Sequence, residues 1–117
     1  MRVLYVEDNP DLLEELVFQI GRMGYEITGL NCGQALLDHL QTTWTPDVLL
    51  LDLGLPDFDG LELANTVRQH HPNVVLVMVT ARGEMEQRIE GWRAGADIYL
   101  TKPVSIEELS AAVQSLG

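Results

Sequence analysis

The sequence predicts an α/β fold in which a doubly wound parallel sheet is covered by helices on both faces. Short runs of Val, Leu, Ile and Tyr alternate five times with segments whose apolar residues recur at helical spacing. Two of these runs are apolar almost without interruption, which is typical of parallel strands buried on both faces. A chain of 117 residues is long enough for one ordinary domain, so we expect a single unit over residues 1–117.

The predicted elements follow one another without a linker or a repeat. Asn9 before Pro10 indicates the start of the first helix, and Ser105 with Glu108 forms a capping-box pattern before the last helix. The five predicted strands are the apolar runs Val3 to Val6, Tyr25 to Leu30, Val48 to Leu51, Val74 to Val79, and Ile98 to Leu100. Their regular alternation with helices favours five strand-helix units.

Composition excludes several classes of partner. Eighteen acidic against seven basic residues give a net charge of -11, which disfavours direct binding to nucleic acid or to an anionic membrane surface. No segment approaches the ~18 to 20 apolar residues of a membrane span, and the amino terminus lacks the apolar core of a signal peptide. A single cysteine, Cys32, forms neither an internal disulfide nor a zinc site. We therefore expect a cytoplasmic protein.

Three acidic residues follow predicted strands directly. Glu7 and Asp8 come after the first strand and Asp52 after the third. The carboxyl ends of parallel strands lie at one edge of a sheet, where doubly wound folds bind their ligands, so these carboxylates are expected to converge. Clustered carboxylates repel one another unless a cation lies among them, and Mg²⁺ prefers such oxygen ligands. The pattern predicts a site for Mg²⁺ or Mn²⁺.

The last two strands bring complementary groups to the same edge. The fourth run ends in Val79-Thr80-Ala81, which supplies a hydroxyl and backbone amides, and the fifth leads into Lys102, which supplies an ammonium. A carboxylate nucleophile, a divalent cation, a hydroxyl and a lysine are the groups that in-line phosphoryl transfer requires. Phosphoryl transfer to Asp52 is therefore the predicted chemistry.

Four motifs in combination carry a family resemblance. They are the Glu7-Asp8 pair, the loop LLLDLGLPDFDG, the strand end VTA, and the segment GADIYLTKP. With these motifs, the chain resembles the receiver domain of two-component response regulators over essentially its whole length. The resemblance implies a flavodoxin-like (βα)5 domain with the strand order 2-1-3-4-5, which chemotaxis receivers share. It also implies a signalling domain in a phosphorelay rather than an ordinary enzyme.

The resemblance assigns roles around the acceptor. Asp52 is implied to be the phospho-acceptor, and Asp8 and Asp52 to bind the metal directly. Glu7 is implied to act mainly through metal-bound water, and Gly54 to contribute its backbone carbonyl. These roles are carried over onto the matching positions of this sequence.

A second set of implied roles concerns the phosphoryl group and the response to it. The Thr80 hydroxyl, the Ala81 backbone amide and Lys102 are implied to hold the phosphoryl oxygens. Tyr99 is implied to move together with Thr80, so that this pair forms the switch. By resemblance the domain assists its own phosphoryl transfer and dephosphorylation.

The resemblance also implies partners. The phosphoryl donor is a sensor histidine kinase or a phosphotransfer protein, and the output, reached through an attached or partner domain, can be transcription. Homodimerisation through the fourth helix, the fifth strand and the fifth helix is a candidate assembly. Relatives that dimerise in this way commonly carry a basic residue where this chain has Ala112, which weakens that subclass assignment.

Three other functions share some of these features. A phosphatase with an aspartate nucleophile would need a second Asp at the position of Gly54. A flavin carrier of the same fold would need a first loop that attracts phosphate, whereas the segment EDNPD is anionic. A receiver-like domain that binds partners without phosphorylation would not need the intact acceptor set. Asp57 and Asp59 are interpreted separately, as turn and capping residues of the helix after Gly60.

Overall fold

Five parallel strands form one sheet in the order β2-β1-β3-β4-β5, which confirms the predicted topology. The computed structural model describes residues 1–80, 95–101 and 105–115. The segment 81–94, where the fourth predicted helix falls, lies outside these residues. The strands are β1 (Arg2–Val6), β2 (Glu26–Leu30), β3 (Val48–Asp52), β4 (Val75–Thr80) and β5 (Ile98–Thr101).

Helices begin where the sequence places polar capping groups. The Asn9 side chain accepts hydrogen bonds from the backbone N–H groups of Asp11 at 3.1 Å and Leu12 at 3.2 Å. The Ser105 hydroxyl accepts one from the backbone N–H of Glu108 at 3.1 Å. Both predicted caps are therefore confirmed. The described helices are α1 (Pro10–Arg22), α2 (Gly33–Thr42), α3 (Gly60–His70) and a last helix (Ile106–Ser115).

The strand ends differ from the apolar runs by a residue or so. Tyr25 and Val74 precede their strands, whereas Asp52 and Thr80 are the final residues of β3 and β4. Strand pairing depends on backbone hydrogen bonds, which a polar residue makes as well as an apolar one. Asp52 and Thr80 therefore belong to the strands themselves, and strand pairing holds their backbones in place.

Two apolar layers cover the sheet, one on each face. Strand β3 is buried along its whole length, as expected for a central parallel strand. On one face, the core includes Leu49, Leu51 and residues of α2 and α3. On the other, it includes Leu50, Ile20 of α1 and Leu109 of the last helix. Among the described helices, none is long and apolar enough to cross a membrane.

The entry to β5 is held by Arg68 of α3. Its guanidinium donates to the Gly95 carbonyl at 2.6 Å and to the Asp97 carboxylate at 2.7 Å, and also to the Val74 carbonyl at 2.6 Å. The same Asp97 oxygen accepts the backbone N–H of Leu76 at 2.9 Å. These bonds tie α3 and β4 to the turn before β5, so they fix the strand that carries Tyr99.

Candidate functional site

The carboxyl ends of β1 and β3 lie side by side. Val6 is in register with Leu51, so the residues that follow them, Glu7 and Asp52, are level at the sheet edge. The backbone N–H of Glu7 donates to the Leu30 carbonyl at 2.9 Å, which continues the pairing of β1 with β2 beyond the end of β1. Both acids are therefore positioned by strand pairing rather than by a free loop.

The three predicted acids form one cluster. Ligand oxygens of Glu7, Asp8 and Asp52 all lie within 4.8 Å of one another. Glu7 is 0% exposed and Asp52 is 3% exposed, whereas Asp8 is exposed. Burial of two like charges at this separation is costly unless positive charge compensates, and oxygen donors at this spacing suit a hard divalent cation. The predicted convergence is confirmed, and the donor set fits Mg²⁺.

The turn after β3 orients the Asp52 carboxylate. The backbone N–H of Gly54 donates to Asp52 Oδ1 at 2.9 Å. A Cβ atom at Gly54 would lie 3.5 Å from Asp52 Oδ1 and 3.9 Å from Oδ2. A side chain at this position would therefore stand directly beside the carboxylate, and glycine leaves that approach open.

The remaining predicted site residues are described in part. Thr80 ends β4 one residue beyond Val79, which is in register with Asp52, so its backbone lies at the same edge as the acids. Tyr99 of β5 is half-buried and packs against the core on the α2 and α3 face. The Thr80 hydroxyl, Ala81 and Lys102 lie outside the described residues.

One structural assignment from the sequence is corrected. Asp59 caps α3 as expected, since its side chain accepts from the Leu61 backbone N–H at 2.9 Å. Asp57 does not cap α3. It accepts instead from the backbone N–H groups of Gly33 and Gln34, both at 2.9 Å, at the start of α2. The sequence suggested α3 because it follows Asp57 directly, whereas folding brings the start of α2 within hydrogen-bonding distance of Asp57.

Sequence reasoning missed Tyr5 of β1, which lies close enough to Glu7 and Asp52 for their charges to act on its hydroxyl. Its side chain is fully buried, and its hydroxyl has no hydrogen-bond partner among the described residues. Burial raises the pKa of the Tyr5 phenol well above its usual value, and the negative charges of Glu7 and Asp52 raise it further. The phenol therefore stays neutral. A tyrosine in an apolar run looks like an ordinary strand residue, so periodicity alone does not single it out.

We expect Tyr5→Phe to stabilise the protein by about 1 kcal/mol, because a buried hydroxyl without a partner keeps its desolvation penalty in the folded state. Urea unfolding followed by circular dichroism measures the change. Tyr25→Phe is the matched control, since half-buried Tyr25 loses the same atom and should gain nothing. A loss of stability in Tyr5→Phe would contradict the expectation and indicate that the hydroxyl makes a stabilising bond.

Comparison with known proteins identifies a family. The family model described as the response regulator receiver domain matches residues 3–114. The transcriptional regulatory protein PhoP of Escherichia coli is 39% identical over 116 residues, which cover 99% of this chain and 52% of PhoP. The chain thus spans about half the length of the curated relatives it matches.

Solved structures agree with this result. The receiver domain of a Francisella response regulator has a TM-score of 0.91 at 30% identity, with 98% of this chain and 94% of that chain covered. The Thermotoga maritima response regulator TrrA, solved in complex with Mg²⁺ and beryllium fluoride, has a TM-score of 0.87 at 29% identity, with 99% and 98% covered.

Proposed function

Because this chain belongs to the response regulator receiver domain family, which acts in two-component phosphorelay signalling, we propose that it accepts a phosphoryl group on Asp52. The donor is the phosphohistidine of a sensor histidine kinase or of a phosphotransfer protein. The observation that carries the proposal is the acidic cluster, in which Glu7, Asp8 and buried Asp52 place their oxygens within 4.8 Å of one another. We assign the receiver domain to the whole of residues 1–117.

The same cluster supports a magnesium site. Asp8, Asp52 and the backbone carbonyl of Gly54 would hold the ion directly, and Glu7 would hold it through water. When bound, Mg²⁺ or Mn²⁺ neutralises negative charge on the phosphoryl oxygens and on the cluster itself. Burial of Glu7 and Asp52 strengthens this demand for positive charge, whereas exposed Asp8 leaves the site open to solvent.

In the transfer step, an Asp52 carboxylate oxygen attacks the phosphorus of the donor. The phosphorus–oxygen bond forms as the bond to the donor histidine nitrogen breaks, and the departing imidazole takes up a proton. Gly54 orients the nucleophile through its 2.9 Å hydrogen bond to Oδ1. The Thr80 hydroxyl, the Ala81 amide and Lys102 hold the transferred oxygens, which is supported by the position of Thr80 at the end of β4. The same groups assist hydrolysis of the aspartyl phosphate.

The proposed response to phosphorylation involves the paired strands β4 and β5. Tyr99 is in register with Met78, and Thr101 with Thr80, and this direct pairing supports the proposal that a shift at the end of β4 reaches β5. Thr80 and Tyr99 form the switch. Strand β5 lies at the edge of the sheet, where a changed surface is accessible to a partner or to a second copy. A response in transcription is the expected output, because PhoP is a transcriptional regulatory protein.

Incubation with acetyl phosphate and Mg²⁺ tests the proposal. We expect the intact mass to rise by one phosphoryl group, and EDTA to prevent the increase, because the clustered carboxylates alone repel an anionic donor. Borohydride reduction of the acylphosphate, followed by peptide sequencing, should locate it at Asp52. Modification elsewhere, or an equal mass increase in EDTA, would refute the assignment.

A further inference from the structure

The start of α2 is capped by a residue from a distant loop. Asp57 lies between β3 and α3, and its two carboxylate oxygens accept the backbone N–H groups of Gly33 and Gln34 at 2.9 Å each. Cys32, the residue at the N-cap position of α2, makes no side-chain capping hydrogen bond. A carboxylate at a helix N-terminus satisfies backbone donors and interacts favourably with the helix dipole. Asp57 therefore caps the N-terminus of α2, although it lies in a loop that comes later in the sequence.

Phe58, the residue after Asp57, also packs against the start of α2. A Cβ atom at Gly33 would lie 2.5 Å from Phe58 Cδ2 and 3.1 Å from Leu63 Cδ2, so the absence of a side chain lets Phe58 approach the helix start. The Gln34 and Gly33 amides hold the pKa of Asp57 below its usual range, and the Cys32 thiol contributes as well. Asp57 is thus anionic at neutral pH, as two bonds from N–H donors require.

The same loop shapes the acceptor site. Its first residues follow Asp52, and Gly54 donates to the Asp52 carboxylate. Its last residue is followed by Gly60, which begins α3 in close contact with Leu53. The two ends of the loop are therefore attached to β3 and α3, and Asp57 attaches its middle to α2.

We infer that Asp57 is a positioning residue for the proposed metal site. Asp57 holds the loop between β3 and α3 in place, so that Gly54 presents its backbone to Asp52 and to the cation. This inference rests on the proposed function. Asp57 itself need not contact the ion, because groups that orient the direct ligands of a metal commonly influence its affinity. A purely structural cap would affect the stability of α2 and leave metal affinity unchanged.

The test compares Asp57→Ala with Asp59→Ala. Both variants remove one negative charge and one helix cap from the same loop, but Asp59 accepts from Leu61 at the start of α3. Calorimetric titration with MgCl2 should show an affinity about tenfold weaker in Asp57→Ala and changed by less than about twofold in Asp59→Ala. Asp57→Asn keeps an acceptor oxygen and should recover part of the loss. Asp8→Ala serves as the variant that removes a proposed ligand.

A second measurement needs no metal. In the ¹⁵N NMR spectrum of the metal-free protein, the Gly54 amide signal should shift in Asp57→Ala and stay near its wild-type position in Asp59→Ala. An unmoved Gly54 signal together with wild-type Mg²⁺ affinity in Asp57→Ala would overturn the inference. If the wild-type chain bound no Mg²⁺, the proposed function and the metal part of the inference would both fall, while the Gly54 signal would still decide whether Asp57 positions the loop. If Asp57→Ala fails to fold, Asp57→Asn carries both measurements.

Discussion

Asp52→Asn is expected to abolish phosphorylation, with the rate of mass gain from acetyl phosphate falling by more than about 10³-fold. The substitution replaces the attacking carboxylate oxygen by a neutral amide of nearly the same shape. The amide oxygen still accepts the Gly54 hydrogen bond, so the local turn is retained. Asp52 is 3% exposed, so the substitution changes a buried group at the sheet edge. We expect the variant to remain folded, because it keeps the hydrogen bond from Gly54.

The control for this experiment is Asp59→Asn. It changes the net charge by the same amount, and asparagine is an equally good N-cap, so both phosphorylation and stability should be preserved. Phosphorylation is measured by intact mass over a time course, and stability by thermal unfolding. Wild-type phosphorylation in Asp52→Asn would exclude Asp52 as the acceptor. An unfolded Asp52→Asn variant would instead show that the charge of Asp52 is needed for folding.

Gly60→Ala is expected to destabilise the protein by about 2 to 3 kcal/mol, because an added methyl group has no room at the start of α3. A Cβ atom there would lie 2.5 Å from the Leu53 Cα atom and 2.9 Å from its carbonyl oxygen. Both are backbone atoms of the residue after Asp52, so they cannot rotate away as a flexible side chain can. Relief of the clash requires α3 or the loop between β3 and α3 to move, and phosphorylation should slow as well.

Gly21→Ala provides the opposite case. Gly21 lies in α1, and a Cβ atom there would be 3.7 Å from Ile27 Cγ2, an ordinary contact. Alanine restricts the unfolded chain more than glycine does, so this variant should be more stable than the wild type by about 0.5 kcal/mol. Denaturant unfolding of both variants gives the comparison. Equal stabilities for Gly60→Ala and the wild type would contradict the close approach of α3 to Leu53.

The amino-acid sequence by itself determined how strands and helices alternate along the chain. It also determined the caps at Asn9 and Ser105, and the placement of Glu7, Asp8 and Asp52 at strand ends. Each of these depends on periodicity or on partners a few residues apart, which are visible along the chain. The spatial order of the strands within the sheet and the roles of the site residues came from the resemblance to a family. Local patterns do not specify which strands become neighbours.

Only the tertiary structure decided which of these acids are buried and which partner each loop residue takes. Asp8 is exposed while Glu7 beside it is buried, and Tyr5, two residues before Glu7, is fully buried as well. Asp57 finds its partner 24 residues earlier at Gly33, and Gly60 is needed because α3 begins against the backbone of Leu53. Such contacts depend on how whole elements pack, and packing joins residues that the sequence keeps far apart.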